Sequence, residues 1–297
     1  MRFIKTIFLI FFIILIGCGI LIFLIPKDEE GQSDNSVAVI RIQGIITNTE
    51  DEEGTVNSNQ VISVLDKIEK SKKYKGVLLI VDSPGGMAAP SLEITYKIRK
   101  LKKQKPVIAY IQNLGASGAY YLSSASTYIV SNPQAIVGSI GVIISVPQVY
   151  DLMNKIGVRI INIKSGKYKD SLSPFKPLSK DQQEYFQQLV MEYYYQFVRD
   201  VAENRNFKTQ SQIKELYEIA DGRVFSSNTA LKYGLVDKVG VLDDAKEKAK
   251  EILKDDKLKF VEIKLYKKTP LEKILGGNSI SKRIEPRLNY GIWMILY

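Results

Sequence analysis

Val77-Leu-Leu-Ile-Val81 is a run of five apolar side chains with no polar residue among them. A strand with one face in water alternates apolar and polar residues, so a run that fails to alternate needs cover on both faces. Its flanks supply that cover. Val61, Val64, Leu65 and Ile68 fall on one face of a helix predicted over Asn59 to Tyr74. A basic amphipathic helix is predicted from Ser91 to Lys103, ending before Pro106, and another run, Val107-Ile-Ala-Tyr-Ile111, follows it. Further strands are predicted at Val37–Ile42, Tyr128–Val130, Val142–Ile144, Val158–Ile163 and Lys259–Lys264. Helices are predicted at Pro147 to Ile156, Lys180 to Arg205 and Leu242 to Leu253, and Val224 to Val239 reads as helix, turn and short strand. Strand–helix alternation of this kind argues for an α/β core.

Thr6 to Ile25 departs from that pattern: twenty residues without a charge, rich in Ile, Leu and Phe. As a helix they reach roughly 30 Å, the thickness of a bilayer's hydrocarbon core. Arg2 and Lys5 precede the run and Lys27-Asp-Glu-Glu30 follow it, which orients the amino terminus to the cytoplasm. The run stays apolar beyond Cys18, where a lipoprotein turns polar, and it is longer than the apolar core of a cleaved signal. The expected organisation is a membrane anchor over 1–27, a linker over 28–36, a catalytic domain outside the cytoplasm over 37–266 and a tail over 267–297. Cys18 is the single cysteine, so no intrachain disulfide is available. The formal net charge of +10 is concentrated late in the chain, with thirteen Lys/Arg against seven Asp/Glu from Lys246 to Arg287. No stacking motif or zinc spacing accompanies it. The reading is a solvated basic face or contact with an anionic surface, not nucleic acid.

The chain contains no histidine. If it activates a serine, imidazole is not the base, and a lysine amine is the standard alternative. Asn113-Leu-Gly-Ala-Ser117-Gly-Ala-Tyr-Tyr121 presents Ser117 at a tight turn entering a helix, between small neighbours that leave room for a carbonyl. Asp82-Ser-Pro-Gly-Gly86 follows the buried run, and its glycines, with Gly118, let backbone N–H groups approach an oxyanion. Gly138-Ser-Ile-Gly-Val142 offers Ser139, whose hydroxyl suits a neutral amine. Ser165-Gly-Lys-Tyr-Lys169-Asp170 supplies Lys169, which as a base must be neutral near pH 7 with Asp170 turned away.

Taken in this order, Ser-Pro-Gly-Gly, Ala-Ser-Gly-Ala-Tyr-Tyr, Gly-Ser-Ile-Gly-Val and Lys-Ser-Gly-Lys-Tyr-Lys-Asp resemble the short bacterial signal peptide peptidases of the SppA type. Asp221-Gly-Arg-Val-Phe225 and Ala230-Leu-Lys-Tyr-Gly-Leu-Val-Asp237 are similar too, and the resemblance covers roughly Val37 to Val239. It implies a crotonase-like, Clp protease-like spiral of ββα units and a homo-oligomeric assembly. It also implies a Ser117 nucleophile, a Lys169 general base, support of that lysine by Ser139, and oxyanion donors at the backbone of Gly86 and Gly118. The implied substrates are residual signal peptides and other short apolar peptides at the membrane lipid, with no metal or cofactor. Ala119 departs from the family, which usually carries a second glycine there.

Three other readings share some of these pieces. A membrane serine protease of the NfeD type is expected to carry more membrane spans, and a coenzyme A-binding crotonase needs no Ser-Lys pair. The third is a scaffold that binds peptides without cutting them. Ser279-Ile-Ser-Lys282 imitates the Ser-x-x-Lys motif of penicillin-binding proteins, but it follows Lys164-Ser-Gly166 instead of preceding it. The apolar Trp293-Met-Ile-Leu-Tyr297 on a basic segment is expected to dock against a neighbouring subunit near the peptide cleft, or to pack on its own domain or on the membrane surface.

Overall fold

The computed structural model describes residues 35–49, 54–265 and 294–296. The predicted anchor, the linker up to residue 34 and all of the tail except Met294–Leu296 lie outside them. Among the described residues no helix is long and apolar enough to cross a membrane.

The first half of the chain contains β1 (Ser36–Gln43), β2 (Ile45–Thr47), β3 (Thr55–Asn57), α1 (Ser58–Lys70), β4 (Tyr74–Ser83), β5 (Gly86–Met87) and α2 (Ala88–Leu101). Next come β6 (Val107–Ala116), α3 (Gly118–Ser124), β7 (Tyr128–Ser131), β8 (Ile136–Gly138), β9 (Ile143–Ile144) and α4 (Tyr150–Lys155). The second half contributes α5 (Lys180–Asn204), α6 (Gln210–Ile219), β10 (Val224–Ser226), α7 (Ser227–Lys232), β11 (Lys238–Val239), α8 (Leu242–Leu253), β12 (Lys259–Glu262) and β13 (Met294–Leu296). The fold is α/β with mixed sheets.

One sheet runs β10-β8-β6-β4-β1-β12, with β7 and β11 branching from β6. All its pairings are parallel except β8 with β10. β6 forks: Ile108–Ile111 pair with β7, while Leu114–Ala116 pair with β8. A second sheet runs β3-β2-β5-β13-β9. Two successive stretches therefore share one plan, a long strand in the first sheet, then one or two short strands in the second, then a helix: β1 to α1 by way of both β2 and β3, and β4 to α2 by way of β5.

Both faces of the first sheet are covered, as the apolar runs require. Ile40, Leu79 and Ile111 pack on one side with α1, α2 and α3, whereas Val39, Leu78 and Ile108 pack on the other with Ala245 and Ala249 of α8. Each fully buried Val, Leu or Ile contributes about 1.5–3 kcal/mol. The two alanines let α8 lie close, and its outward lysines pair at one-turn spacing, Lys246 with Asp243, Lys248 with Glu251 and Lys250 with Glu247. Three of the late lysines are thus neutralised locally on a solvated face.

Three sequence expectations change. The helix predicted through Tyr74 stops at Lys70, with Ser71 capping it, because Tyr74 already opens β4. Val158–Ile163 forms no strand, since no described strand lies beside it to complete its backbone hydrogen bonds. α6 and the short strands β2, β3, β5, β8, β10 and β13 are additional: α6 starts in a Thr209/Gln212 capping box and buries only Leu216 and Ile219 of its ten residues.

Candidate active site

β6 ends at Ala116 and α3 begins at Gly118, so Ser117 alone turns the chain, with φ 54° and ψ −122°. A serine held in such a region costs on the order of 1–3 kcal/mol and persists only where its surroundings enforce it. They do. Its N–H donates to the Gly138 carbonyl at 2.7 Å, and its carbonyl accepts from the Tyr121 N–H at 2.8 Å. All seven residues of α3 are buried. The Tyr120 hydroxyl donates to the Leu235 carbonyl at 2.9 Å, while Tyr121 donates to the Asp200 carboxylate and stacks on Phe197, centroids 4.2 Å apart. Burial pushes both phenols well above their ordinary range, and at Tyr121 the hydrogen bond to Asp200 adds to it, so both stay protonated donors. Arg99 pairs with Asp200 at 2.9 Å, and Asn204 donates to Ser124 Oγ at 2.8 Å.

The Asp82–Gly86 turn lies against this serine. A methyl group built on Gly85 would sit 2.9 Å from Ser117 Cβ and 2.7 Å from the Gly118 nitrogen. One on Gly118 would meet Ser91 Oγ at 2.3 Å and the Gly86 nitrogen at 3.4 Å. The backbones of Gly86 and Gly118 therefore converge at Ser117 with no space for side chains between them. Ser83 secures the turn: its hydroxyl donates to the Gly44 carbonyl at 2.6 Å and accepts from the Gly85 N–H at 3.1 Å. Asn113 donates to Asp82 at 2.8 Å, tying the turn to β6.

Ser139 is brought to the same place by strand register. Ala116 pairs with Gly138, so Ser117 and Ser139 each stand one residue beyond a matched position on parallel strands. Ser139 is also left-handed, φ 51°, and its N–H donates to the Arg223 carbonyl at 2.8 Å. Four of the five predicted residues, Gly86, Ser117, Gly118 and Ser139, thus gather at one end of β6.

Lys169 does not join them in the single chain. Ser117 Oγ is buried with no hydrogen-bond partner among the described residues, and Lys169 is exposed. Lys169 belongs to an arm, residues 156–169, whose Ile156, Val158, Ile160, Ile161 and Ile163 all face solvent. The arm is held at its base. Asp170 takes Lys164 at 2.7 Å and Lys176 at 2.8 Å, and these hydrogen bonds hold its carboxyl well below the usual carboxylate range. Lys167 pairs with Asp181 at the start of α5.

Sequence reasoning did not single out Ser83 or Asp200. Ser83 was visible as the serine of Ser-Pro-Gly-Gly. Asp200 carried the fainter signal of an acid beside Phe197, Val198 and Val201 on the buried face of α5.

A surface cavity of about 560 Å³, lined by Lys102, Thr127, Arg205 and Asp237 among others, shares no residue with this arrangement.

Comparison with known proteins gives the same assignment from several directions. Residues 99–256 match the model of Peptidase family S49. A provisionally named protease of Methanocaldococcus jannaschii is 44% identical over 64% of this chain and 60% of its own length. A provisionally named signal peptide peptidase SppA of Enterococcus faecium is 38% identical over 75% of this chain and 65% of its own. The chain thus spans less than two thirds of either relative. A Synechocystis protein, also provisionally named a protease, is 37% identical over 74% of this chain and 78% of its own. Among solved structures, a lysine-to-alanine mutant of the 1510-N membrane-bound stomatin-specific protease, in complex with a substrate peptide, aligns with a TM-score of 0.53. It does so at 17% identity, over 82% of this chain and 97% of that one, a likeness of fold.

Proposed function

The chain belongs to peptidase family S49, and from that premise we propose that it is a serine peptidase in which Ser117 is the nucleophile and Lys169 the general base. The observation that carries the reading is Ser117 itself: strained, buried, unpartnered at Oγ and faced by the backbones of Gly86 and Gly118. Ser36, Ser58, Ser126 and Ser171 also bury a hydroxyl without a partner among the described residues, so it is the strained turn and the two glycine backbones that single out Ser117. A nucleophile needs its hydroxyl uncommitted.

The neutral amine of Lys169 accepts the hydroxyl proton as Oγ attacks the scissile carbonyl, and the N–H groups of Gly86 and Gly118 hold the oxyanion. Lysine then protonates the leaving amine, and water cleaves the acyl-serine ester. Ser139 orients the amine without recharging it, and Asp170, engaged by Lys164 and Lys176, leaves it alone. Because Ser117 Oγ lacks a partner among the described residues and Lys169 is exposed, the Lys169 arm reaches the serine from a neighbouring copy, its exposed isoleucines supplying the contact surface. This reading makes the enzyme a homo-oligomer on the crotonase-like plan of long strand, short strand and helix. The name of the Enterococcus relative supports residual signal peptides as substrates. The apolar run at Thr6–Ile25 supports anchorage in membrane lipid, with the peptidase domain outside the cytoplasm.

The test is complementation between inactive chains. Ser117→Ala and Lys169→Ala proteins are each expected to be silent towards a fluorogenic apolar peptide, and to regain activity once mixed and reassembled. Folded Lys169→Ala protein that turns over normally removes the dyad. Silence of the mixed assembly removes the exchange between copies. Labelling of Ser117 by a fluorophosphonate separates a peptidase from a peptide-binding scaffold.

A further inference from the structure

The cavity of about 560 Å³ lies where three helices end. Lys102 and Lys103 follow α2, Ser126 and Thr127 follow α3, Arg205 follows α5, and Asp237 stands just before β11. Its volume is that of a small-molecule site, and neither Ser117 nor Lys169 lines it.

Charge decides what fits. Asp237 is the one carboxylate in the lining, and it is already committed. It accepts from Arg205 Nη2 at 2.6 Å and Nη1 at 3.1 Å, and from the Ile129 N–H at 2.7 Å. The arginine is thereby neutralised, and two lysines are left over. Lys97 and Lys100 of α2 reach Glu69, and the outer lysines of α8 have their own acids. The ammonium groups of Lys102 and Lys103 have no acidic partner among the described residues. Burial, with Arg99 and Arg205 nearby, pushes the Lys102 ammonium below its ordinary value, as happens to a cation without a counter-ion.

The hydroxyls point to an acceptor as well. Ser126 is 2% exposed, and its Oγ has no partner among the described residues. Thr127 Oγ1 accepts from the Val107 N–H at 3.1 Å, which leaves its own proton to give. Donors are open here while the carboxylate is spent, so a ligand must bring oxygens and negative charge. Two uncompensated lysines match the two charges of a phosphate monoester, and the volume leaves room for the group it is attached to. We propose that this cavity binds a phosphate group, with Lys102 and Lys103 as its counter-ions and Ser126 and Thr127 as hydroxyl donors. The site stands apart from the peptidase reading of Ser117 and holds or falls without it.

The test titrates the full chain, in a non-ionic detergent, with inorganic phosphate. Binding is read by calorimetry and by the rise of the thermal unfolding midpoint with ligand concentration. Lys102→Gln is expected to weaken binding about tenfold or more, and Ser126→Ala about threefold, whereas Lys102→Arg should retain it. Lys246→Gln, on the paired face of α8, should leave it unchanged. Two soluble esters separate the sources. Tighter binding of glycerol phosphate assigns the cavity to a soluble phosphate ester, and tighter binding of dihexanoyl-phosphatidylglycerol, below its micellar concentration, assigns it to a lipid headgroup. An equal response to acetate or chloride at matched ionic strength overturns the proposal. So does binding that ignores Lys102→Gln, or that falls as far in Lys246→Gln.

Discussion

Ser117 and Lys169 occupy opposite physical settings in the same chain. The serine is enclosed, its backbone bonded on both sides and the helix behind it pinned by Tyr120 and Tyr121. The lysine sits on an arm whose isoleucines face water and whose ties, apart from the bonds around Asp170 and Lys167, are sparse. The difference teaches how the labour is divided. On the proposed reading, core packing builds the nucleophile and its oxyanion donors, and docking of a second copy supplies the base. A site half made by the fold gains activity only when a second surface arrives.

The largest expected effect tests whether both halves are needed. Ser117→Ala and Lys169→Ala should each lower kcat/KM by about 10⁴-fold or more, and the double variant should be little worse, because the two residues act as one unit. Steady-state hydrolysis of an apolar peptide measures this; additive losses would separate them.

Stability distinguishes the halves next. Tyr121→Phe removes the bond to Asp200 inside the packed support of α3, and a global loss of about 1–3 kcal/mol is expected in chemical denaturation. Ile161→Ser, on an arm residue 86% exposed, should change stability by no more than about 0.5 kcal/mol. It should nevertheless reduce both assembly mass and turnover. An equal stability cost for the two substitutions would erase the contrast.

The smallest effect concerns the base of the arm. Asp170 is held below its ordinary range by Lys164 and Lys176, so its contribution is complete above the unfolded value near pH 4 and drains away as pH falls below it. Limited proteolysis of residues 158–169 should accelerate on acidification below about pH 4 in the native chain. In Asp170→Asn it should be already elevated and flat with pH. Loss of protection on raising the pH instead would reverse the sign and dismiss this anchor.

The enclosed half was the legible half. β4 and β6 announced themselves because their central runs, Val77–Val81 and Val107–Ile111, are covered on both faces and carry no charged residue. Ser117, Gly86 and Gly118 stood out as small residues around a serine. The proximity of Ser139 to Ser117 was accessible only through resemblance, because the register of Ala116 with Gly138 sets it and β8 is three residues long. The exposed half misled. Val158-Arg-Ile-Ile-Asn-Ile163 has the composition of a strand, but composition cannot provide a neighbouring strand, and its apolar residues face solvent instead. The pairing of Leu296 with Gly86, across 210 positions, leaves no local trace at all.

The bonds behind α3 also set an order of events during synthesis. Tyr121 depends on Asp200, Ser139 on the Arg223 carbonyl, and Tyr120 on a carbonyl 115 residues further along. A chain growing from its amino end at about 5–20 residues per second makes Ser117 many seconds before these supports exist. Until Leu235 has left the ribosome, the turn at Ser117 has its local bonds to Gly138 and Tyr121 but not the full packing behind α3. A nascent chain of this design therefore completes the surroundings of its serine only as synthesis nears its close.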